Sequence, residues 1–312
     1  MTTSTMRKFE PLFPIKKKDL FTLYNQAVQS FWTAQEIDIA NDDISKLTES
    51  ERHILATVLS FFAASDLIVN ENIAENLYKL ATYPEAKMFL AFQSGVESIH
   101  THLYSLLLEA YFGTNTDLFK GIENNPRIRA KAEFCEEFMK EANGELLIAF
   151  ACCEGIFFSS SFASIYHFKK SGALPGLTTS NEFISRDEAL HARFTCALYL
   201  ELVKDGHIEA VPESRIVEIV QRSCNLEIDF VNDVLANPVL GFTADAMSDH
   251  VRFVADRILQ MLEVAPVFNI PESPLPCVEI CELSQKANFF EVRNSEYKKI
   301  QGERVFSLDA DF

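Results

Sequence analysis

The sequence predicts an all-α protein folded as a helical bundle, and three observations support this. Only 10 glycines and 11 prolines occur in 312 residues, which is typical of long helices rather than of a turn-rich sheet protein. Apolar residues recur at helical spacing, and no alternating run competes as a strand. The tetrapeptide Glu97-Ser98-Ile99-His100 is echoed by Glu188-Ala189-Leu190-His191, and residues three apart share a face when the chain is helical.

Sequence signals mark the helices of the first half of the chain. A first helix is expected at residues 18–32. The capping box Thr48-Glu49-Ser50-Glu51 predicts the start of a long helix that runs toward residue 80. Pro84 predicts the start of the next helix, which should end near Gly113. The polar residues 113–125 are expected to form a loop.

The second half of the chain carries similar signals. Pro126 predicts a helix start, and Gly144 predicts a break before the helix that contains Glu154. Residues 171–180 hold two glycines and a proline and are expected to connect two helices. Three helices should follow, at residues 181–203, 212–235 and 243–262.

The C-terminal part of the chain differs in composition from the rest. Prolines recur after residue 265 and end the regular structure, and the last residues are charged and mixed. We therefore expect one helical domain over residues 1–285 and a flexible tail over residues 286–312.

Charge and cysteine content narrow the class of protein. A net charge of −17 argues against a nucleic-acid partner, because phosphate contacts need basic patches. The seven cysteines form no Cys-x-x-Cys motif, and the N-terminus has no apolar signal region, so reduced thiols in a cytoplasmic protein are expected.

One apolar stretch is long enough to cross a membrane. Residues 146–168 are mostly apolar, and their length would span a bilayer. Glu154 lies inside the stretch, and a carboxylate is costly in lipid. We therefore expect a buried bundle helix and no membrane association.

The two Glu-x-x-His pairs could hold two metal ions if two further helices each added a carboxylate, a pattern known from di-iron and di-manganese carboxylate proteins. Asp66 and Glu154 are the predicted additions, because each lies in an apolar run where an unpaired acid is costly to bury. The predicted ligands are Asp66, Glu97, His100, Glu154, Glu188 and His191. Four carboxylates and two imidazoles suit iron or manganese. The alternative is a helical protein with scattered salt-bridged acids.

Tyr104 is predicted to lie beside the metal ions. It follows His100 by four residues, which places it on the same helix face, one turn further along. A tyrosine beside an oxygen-activating metal pair can be oxidised to a radical; a hydrogen-bonded core tyrosine is the alternative. Phe158, Phe162 and Ile184 occur at helical spacing from the ligands and should face this region, as a dry wall around a radical or as plain core.

At these residues the chain resembles the small subunit of class I ribonucleotide reductase, in its eukaryotic and viral branch. The resemblance extends from about Phe13 to the last residue. Its motifs are FWTAQEID at 31–38, FFAASD at 61–66, VNEN at 69–72, ESIH at 97–100, YSLL at 104–107, EGIFFS at 154–159, SNEFISRDE at 180–188, NFFE at 288–291 and FSLDADF at 306–312.

The resemblance implies a ferritin-like bundle, a homodimer, and an oxo-bridged pair of iron ions held by the six predicted ligands, with manganese as the other possible metal. It implies that molecular oxygen converts Tyr104 into a stable radical. Trp32 and Asp187, with His100, would link the metal site to the surface, and Tyr297 would carry the radical onward.

The resemblance also implies a partner. The last seven residues, with Phe306, Leu308 and Phe312 as apolar anchors, would dock on the large subunit, where ribonucleoside diphosphates are reduced to deoxyribonucleotides. Two rival functions remain open. One is another di-metal carboxylate protein, such as a ligand-binding oxidase or an iron store, and the other is a non-catalytic helical scaffold.

Overall fold

The computed structural model describes residues 11–113, 116–140, 143–234 and 243–275. Over these residues the regular structure is helical, with no strand, which confirms the all-α prediction. The longer helices are α1 Lys18–Gln29, α2 Glu49–Asn72, α3 Pro84–Phe112, α4 Pro126–Phe138, α5 Gly144–Cys152, α6 Ser159–Ser171, α7 Pro175–Lys204, α8 Glu213–Val234 and α9 Ala244–Met261. Shorter helical segments lie at Ala34–Glu36, Ile44–Lys46, Ile73–Leu77, Tyr78–Leu80, Thr116–Phe119, Gly121–Asn124 and Cys153–Phe157.

Several helix ends lie where the sequence predicted them. Thr48 and Glu51 form the capping box of α2, in which each side chain accepts from the other residue's backbone N–H. Pro84 is the first residue of α3, and Gly113 follows its end with φ 67°, a conformation that glycine adopts without strain. Pro126 starts α4, where the Asn125 side chain accepts from two backbone N–H groups.

The first helix is shorter than predicted. It ends at Gln29 rather than at residue 32, and the backbone N–H of Ser30 closes its last turn on Gln26 and Ala27. The chain then leaves the helical path, and the Trp32 side chain enters the core with 3% of its surface exposed.

The connection predicted at residues 171–180 is wrong over most of its length, because α7 already begins at Pro175. Asp42, far away in sequence, caps this helix by accepting from the backbone N–H groups of Gly176 and Leu177 at 2.7 and 3.0 Å. Pro175 was a local signal for this helix start, but its neighbours Gly172 and Gly176 made the stretch resemble a connection.

The loop predicted at residues 113–125 is also partly wrong. It contains the helical segments Thr116–Phe119 and Gly121–Asn124. A Cβ atom on Gly121 would lie 2.7 Å from the backbone oxygen of Ser60 on α2. This close approach to α2 explains why residue 121 is a glycine, since a larger residue would clash with the backbone of α2.

The core lies where α2, α3, α5 and α7 pack together, with α8 and α9 packed against each other and against α5. Two stretches of the described residues, Glu49–Leu80 and Gly144–Lys169, are long and apolar enough to span a membrane. The apolar window of the second is 94% buried inside the protein. Its apolar side chains are therefore covered by neighbouring helices.

Candidate metal centre

Four segments of the bundle bring the six predicted ligands together. Asp66 comes from α2, Glu97 and His100 from α3, Glu188 and His191 from α7, and Glu154 from the π-helical segment Cys153–Phe157 between α5 and α6. Each of the six side chains is at most 2% exposed. The π-helical segment adds one residue to the helical turn, a feature that is frequent at functional sites.

The six side chains form two overlapping groups. The ligand atoms of Asp66, Glu97 and His100 lie within 4.8 Å of one another, and so do those of Glu97, Glu154, Glu188 and His191. Glu97 belongs to both groups, as a carboxylate that bridges two ions would.

Both imidazoles direct the same nitrogen toward the carboxylates. The Nδ1 atom of His100 lies 3.0 Å from Glu188 and 3.3 Å from Glu97. The Nδ1 atom of His191 lies 2.9 Å from Glu97 and 3.2 Å from Glu188. The nitrogen and oxygen atoms therefore converge on one interior volume.

The protonation of the cluster follows from its burial. Burial, together with the charge of Glu97, holds the pKa of Asp66 well above its usual range. Burial, with the charges of Glu188 and Glu97, does the same for the pKa of Glu154. The pKa of Glu188 is below its ordinary value, because the nearby imidazoles outweigh the effect of its burial.

The histidines show the opposite balance. Burial alone would lower the pKa of His191, but the charges of Glu97 and Glu188 raise it to about 10. Hydrogen bonds to Asp187, Glu188 and Glu97 likewise raise the pKa of His100 against the effect of burial. Divalent cations compete with protons for carboxylates and imidazoles in such a site.

Orphaned oxygen atoms also indicate that the cluster fits metal ions. Among the residues that the structure describes, both carboxylate oxygens of Asp66 and one of Glu154 are buried without a hydrogen-bond partner. A buried carboxylate oxygen without a partner is costly unless a cation binds it. Oxygen-rich ligands with two imidazoles suit iron or manganese.

Sequence reasoning missed Gln93 in this cluster. Its side chain is 1% exposed, and its Nε2 donates to Glu154 at 2.7 Å and more weakly to Glu97 at 3.4 Å. Gln93 precedes Glu97 by four residues on α3 and so shares its face. That spacing was the available signal.

Tyr104 lies in an apolar pocket at 2% exposure. Its hydroxyl has no hydrogen-bond partner within the described ranges, which does not fit the alternative of a hydrogen-bonded core tyrosine. Burial and the charge of Asp66 hold the pKa of Tyr104 well above its usual range. The phenol is therefore protonated and shielded from solvent.

Aromatic rings line this pocket. The Phe62 ring stacks on Tyr104 at a centroid distance of 4.6 Å, and Phe158 and Phe162 pack on Phe62 at 5.7 and 5.1 Å. Phe62 was not predicted as a pocket residue. Ile184 is buried on α7, one turn before Glu188.

A chain of contacts connects the metal cluster to Trp32. The Nε1 atom of Trp32 donates to Asp187 Oδ2 at 2.7 Å, and the same oxygen lies 3.4 Å from His100 Nε2. The indole and imidazole rings also stack, with centroids 5.8 Å apart. Phe31, the next residue, is 49% exposed, so this chain of contacts ends close to the surface.

Some predicted residues lie outside the described residues. They are Tyr297, Phe306, Leu308 and Phe312, together with the tail at 286–312 and the domain boundary at residue 285.

Known proteins resemble this chain over most of its length. The family "Ribonucleotide reductase, small chain" matches residues 10–274. Two curated relatives are named ribonucleoside-diphosphate reductase small chain. The one from Vaccinia virus (strain Ankara) is 40% identical over 312 residues, covering 96% of each chain. The one from Nicotiana tabacum is 41% identical over 317 residues, covering 96% of this chain and 94% of the relative.

Solved structures show the same architecture. A ribonucleotide reductase homodimer from Saccharomyces cerevisiae has a TM-score of 0.75 at 28% identity, covering 85% of this chain and 84% of the other. The dimanganese(II) form of NrdF from Streptococcus sanguinis has a TM-score of 0.76 at 18% identity, covering 89% and 99%. At that identity the second likeness concerns the fold alone.

Proposed function

Because this chain belongs to the ribonucleotide reductase small-chain family and is a ribonucleoside-diphosphate reductase small subunit, we propose that its buried cluster holds two metal ions that generate a radical on Tyr104. The fold is the ferritin-like bundle of the family. The observation that supports this proposal best is the arrangement of six converging ligands beside a buried tyrosine with a free hydroxyl.

The ligands divide between two ions in this proposal. Asp66, Glu97 and His100 would hold one ion, and Glu97, Glu154, Glu188 and His191 would hold the other. We propose iron as the cellular metal, with manganese as the alternative that the same ligand types accept. Once reduced, the metal pair would supply the oxygen chemistry that oxidises Tyr104.

The protein supplies the surroundings of the radical. Tyr104 would give up one electron and its hydroxyl proton to molecular oxygen as the oxygen is reduced, and the rings of Phe62, Phe158 and Phe162 would keep water and reductants away from the phenoxyl oxygen. Ile184 is proposed to close the same pocket from α7. A buried tyrosyl radical survives longer than an exposed one because few molecules can reach it.

We propose that the radical leaves the centre along His100, Asp187 and Trp32. The hydrogen bond from the indole to Asp187 and the contact from Asp187 to His100 support this path. Tyr297 would carry the radical further, and the large subunit would use it to reduce ribonucleoside diphosphates. The last seven residues, with their apolar anchors, are proposed as the docking segment. We also propose a homodimer in the cytoplasm.

An iron store or another di-metal oxidase is the rival function. Such a protein needs the ligands but has no need of a buried tyrosine without a hydrogen-bond partner, or of an indole that donates to Asp187. The free hydroxyl of Tyr104 and the contact from Trp32 to Asp187 favour the radical function.

Electron paramagnetic resonance tests the proposal. Metal-free protein is loaded anaerobically with ferrous iron and exposed to oxygen, for the wild type, Tyr104→Phe and Tyr111→Phe. Tyr111 is the matched control, because it is a buried tyrosine further along α3. Its hydroxyl donates a hydrogen bond to Asp42. A tyrosyl signal should appear in the wild type and in Tyr111→Phe and be absent from Tyr104→Phe, while all three bind the same amount of iron.

Other outcomes would count against the proposal. Iron binding without a tyrosyl signal in the wild type would favour manganese or a different oxidase. A protein that binds neither iron nor manganese would favour the non-catalytic scaffold.

A further inference from the structure

Two cysteines from different segments lie in contact beside the metal cluster. The Sγ atoms of Cys135 on α4 and Cys153 in the π-helical segment are 2.7 Å apart, and both are free thiols. A disulfide bond requires a separation of about 2.05 Å. A small movement of two side chains would therefore bring the sulfur atoms to bonding distance.

A pocket gives small molecules access to this pair. It is lined by Phe61, Lys131, Cys135, Cys153 and Phe157, among others, with a cavity volume of about 20 Å³. That volume holds little more than one water-sized molecule. Cys135 is half-buried, whereas Cys153 is 4% exposed, so a reagent that enters the pocket meets Cys135 first.

The pair differs from the remaining cysteines in the described part of the chain. Cys152, Cys196 and Cys224 are at most 1% exposed, and none of them lines the pocket. Oxidation of a thiol by a dissolved reagent depends on access. Among the cysteines that the structure describes, geometry therefore confines the reaction to Cys135 and its neighbour.

We propose that Cys135 and Cys153 form a reversible disulfide when hydrogen peroxide enters this pocket, and that the bond lowers metal loading at the adjacent Glu154. The sulfur of Cys135 attacks one oxygen of the peroxide, the O–O bond breaks, and water leaves, so that a sulfenic acid remains. The sulfur of Cys153 then attacks the Cys135 sulfur, the S–O bond breaks, and a second water leaves with the Cys153 proton. The two sulfurs together lose two electrons, and the peroxide gains them.

The disulfide acts on the metal centre through the backbone. Cys153 and Glu154 are consecutive residues of the π-helical segment, and Cys135 belongs to α4, which carries none of the six ligands. A bond between the two cysteines would fix the start of this segment to α4. The Glu154 carboxylate accepts a hydrogen bond from Gln93. With the segment fixed, this carboxylate would have less freedom to turn toward an incoming ion.

The test counts thiols in the full-length chain. Reduced, metal-free protein is treated with hydrogen peroxide, so that no ferrous ion decomposes the reagent, and free thiols are then alkylated and analysed by mass spectrometry. In the wild type, Cys135 and Cys153 should lose their thiols and yield one linked peptide pair that is lighter by two hydrogen atoms. Dithiothreitol should restore both thiols.

Matched variants identify the bond. Cys135→Ser and Cys153→Ala should each form no such pair, whereas Cys152→Ala, next to Cys153 in sequence, should form it as the wild type does. Retention of all thiols in the wild type, a sulfinic acid on Cys135 without a crosslink, or a crosslink to Cys152 would overturn the disulfide.

A second measurement concerns the metal. Peroxide-treated and desalted wild-type protein should lose ferrous iron uptake and regain it after dithiothreitol, while Cys135→Ser should keep its uptake throughout. Unchanged uptake in a fully crosslinked wild type would refute the effect on the metal centre. This effect depends on the proposed function; the thiol count does not, so a protein that binds no iron even when reduced would contradict only the proposed function.

Discussion

Trp32 lies on the proposed path of the radical from the ligand cluster toward the surface. Trp32→Phe keeps an aromatic ring but removes the N–H that donates to Asp187. We expect the variant to bind iron and form the Tyr104 radical normally, and to lose turnover with the large subunit. Paired spin quantification and turnover assays check this.

Phe183→Leu is the control for Trp32→Phe. Phe183 packs on the indole at a centroid distance of 5.6 Å without a hydrogen bond to it, so turnover should survive. Full turnover in Trp32→Phe would show that radical transfer does not use this indole.

His250 makes folding stability depend on pH. Burial lowers the pKa of His250 from 6.5 to about 4. Between pH 6.5 and pH 4, the His250 imidazole is protonated in the unfolded chain but not in the folded protein. The contribution of this residue to folding stability is therefore complete above pH 6.5 and is lost as the pH falls toward 4. The full effect is roughly 3 kcal/mol. The urea midpoint of His250→Gln should therefore fall less than that of the wild type between about pH 7 and about pH 5.

His53→Gln is the matched control for His250→Gln, because His53 is exposed on α2. It should keep the acid sensitivity of the wild type. An unchanged acid sensitivity in His250→Gln would mean that the buried imidazole is not the group responsible.

At the residue scale, the sequence predicted the site residues whose positions follow from helical spacing. The repeated Glu-x-x-His pattern predicted four residues that the structure brings together, and the apolar surroundings of Asp66 and Glu154 added the other two. It could not reach Phe62, which stacks on Tyr104 from another helix. Contacts between helices depend on packing, which no spacing within one helix reveals.

At the element scale, the start of α7 depends on a close approach between segments distant in sequence. A Cβ atom on Gly176 would lie 2.5 Å from the backbone oxygen of Asp38 and 2.9 Å from the Cα atom of Ile39. Backbone atoms cannot rotate away, so Gly176→Ala should destabilise the protein by about 1–3 kcal/mol. Urea unfolding of the metal-free protein measures this.

Gly95→Ala provides the comparison. Gly95 lies inside α3, two residues before Glu97, and a Cβ atom there meets nothing within 4 Å. We expect a gain of about 0.5–1 kcal/mol, because alanine favours the helix. Equal unfolding midpoints for the two variants would show that the approach at Gly176 is not tight.

Helix boundaries were predictable where the signal is local. Pro84 and Pro126 start their helices as predicted, since proline is favoured at the first helical position. The start of α7 was missed although Pro175 carries the same signal, because the nearby Gly172 and Gly176 indicated a connection. The π-helical geometry around Glu154 was missed as well, since the sequence there reads as an ordinary apolar helix.

At the scale of the whole molecule, the chain works with a large subunit, and we predict that the last residues make the contact. Replacing Phe306, Leu308 and Phe312 together by Ala should abolish binding to the large subunit, because a few buried anchor side chains carry most of the energy of such contacts. Iron uptake and the Tyr104 radical should be unchanged. Calorimetric titration with the large subunit measures the affinity.

Asp309→Ala is the control for the triple variant. It lies in the same segment and changes a charge without removing an apolar anchor. Unchanged affinity in the triple variant would place the subunit contact elsewhere on the molecule.

The position of Trp32 also gives this protein an optical use. The chain contains a single tryptophan, and its indole is stacked on the imidazole of His100. All tryptophan fluorescence of the chain therefore originates one side chain away from the proposed metal ions. Paramagnetic ions quench nearby indole emission, so metal loading of the centre can be followed in real time without a label. The emission of Trp32 would also report a change at His100 before any turnover is measured.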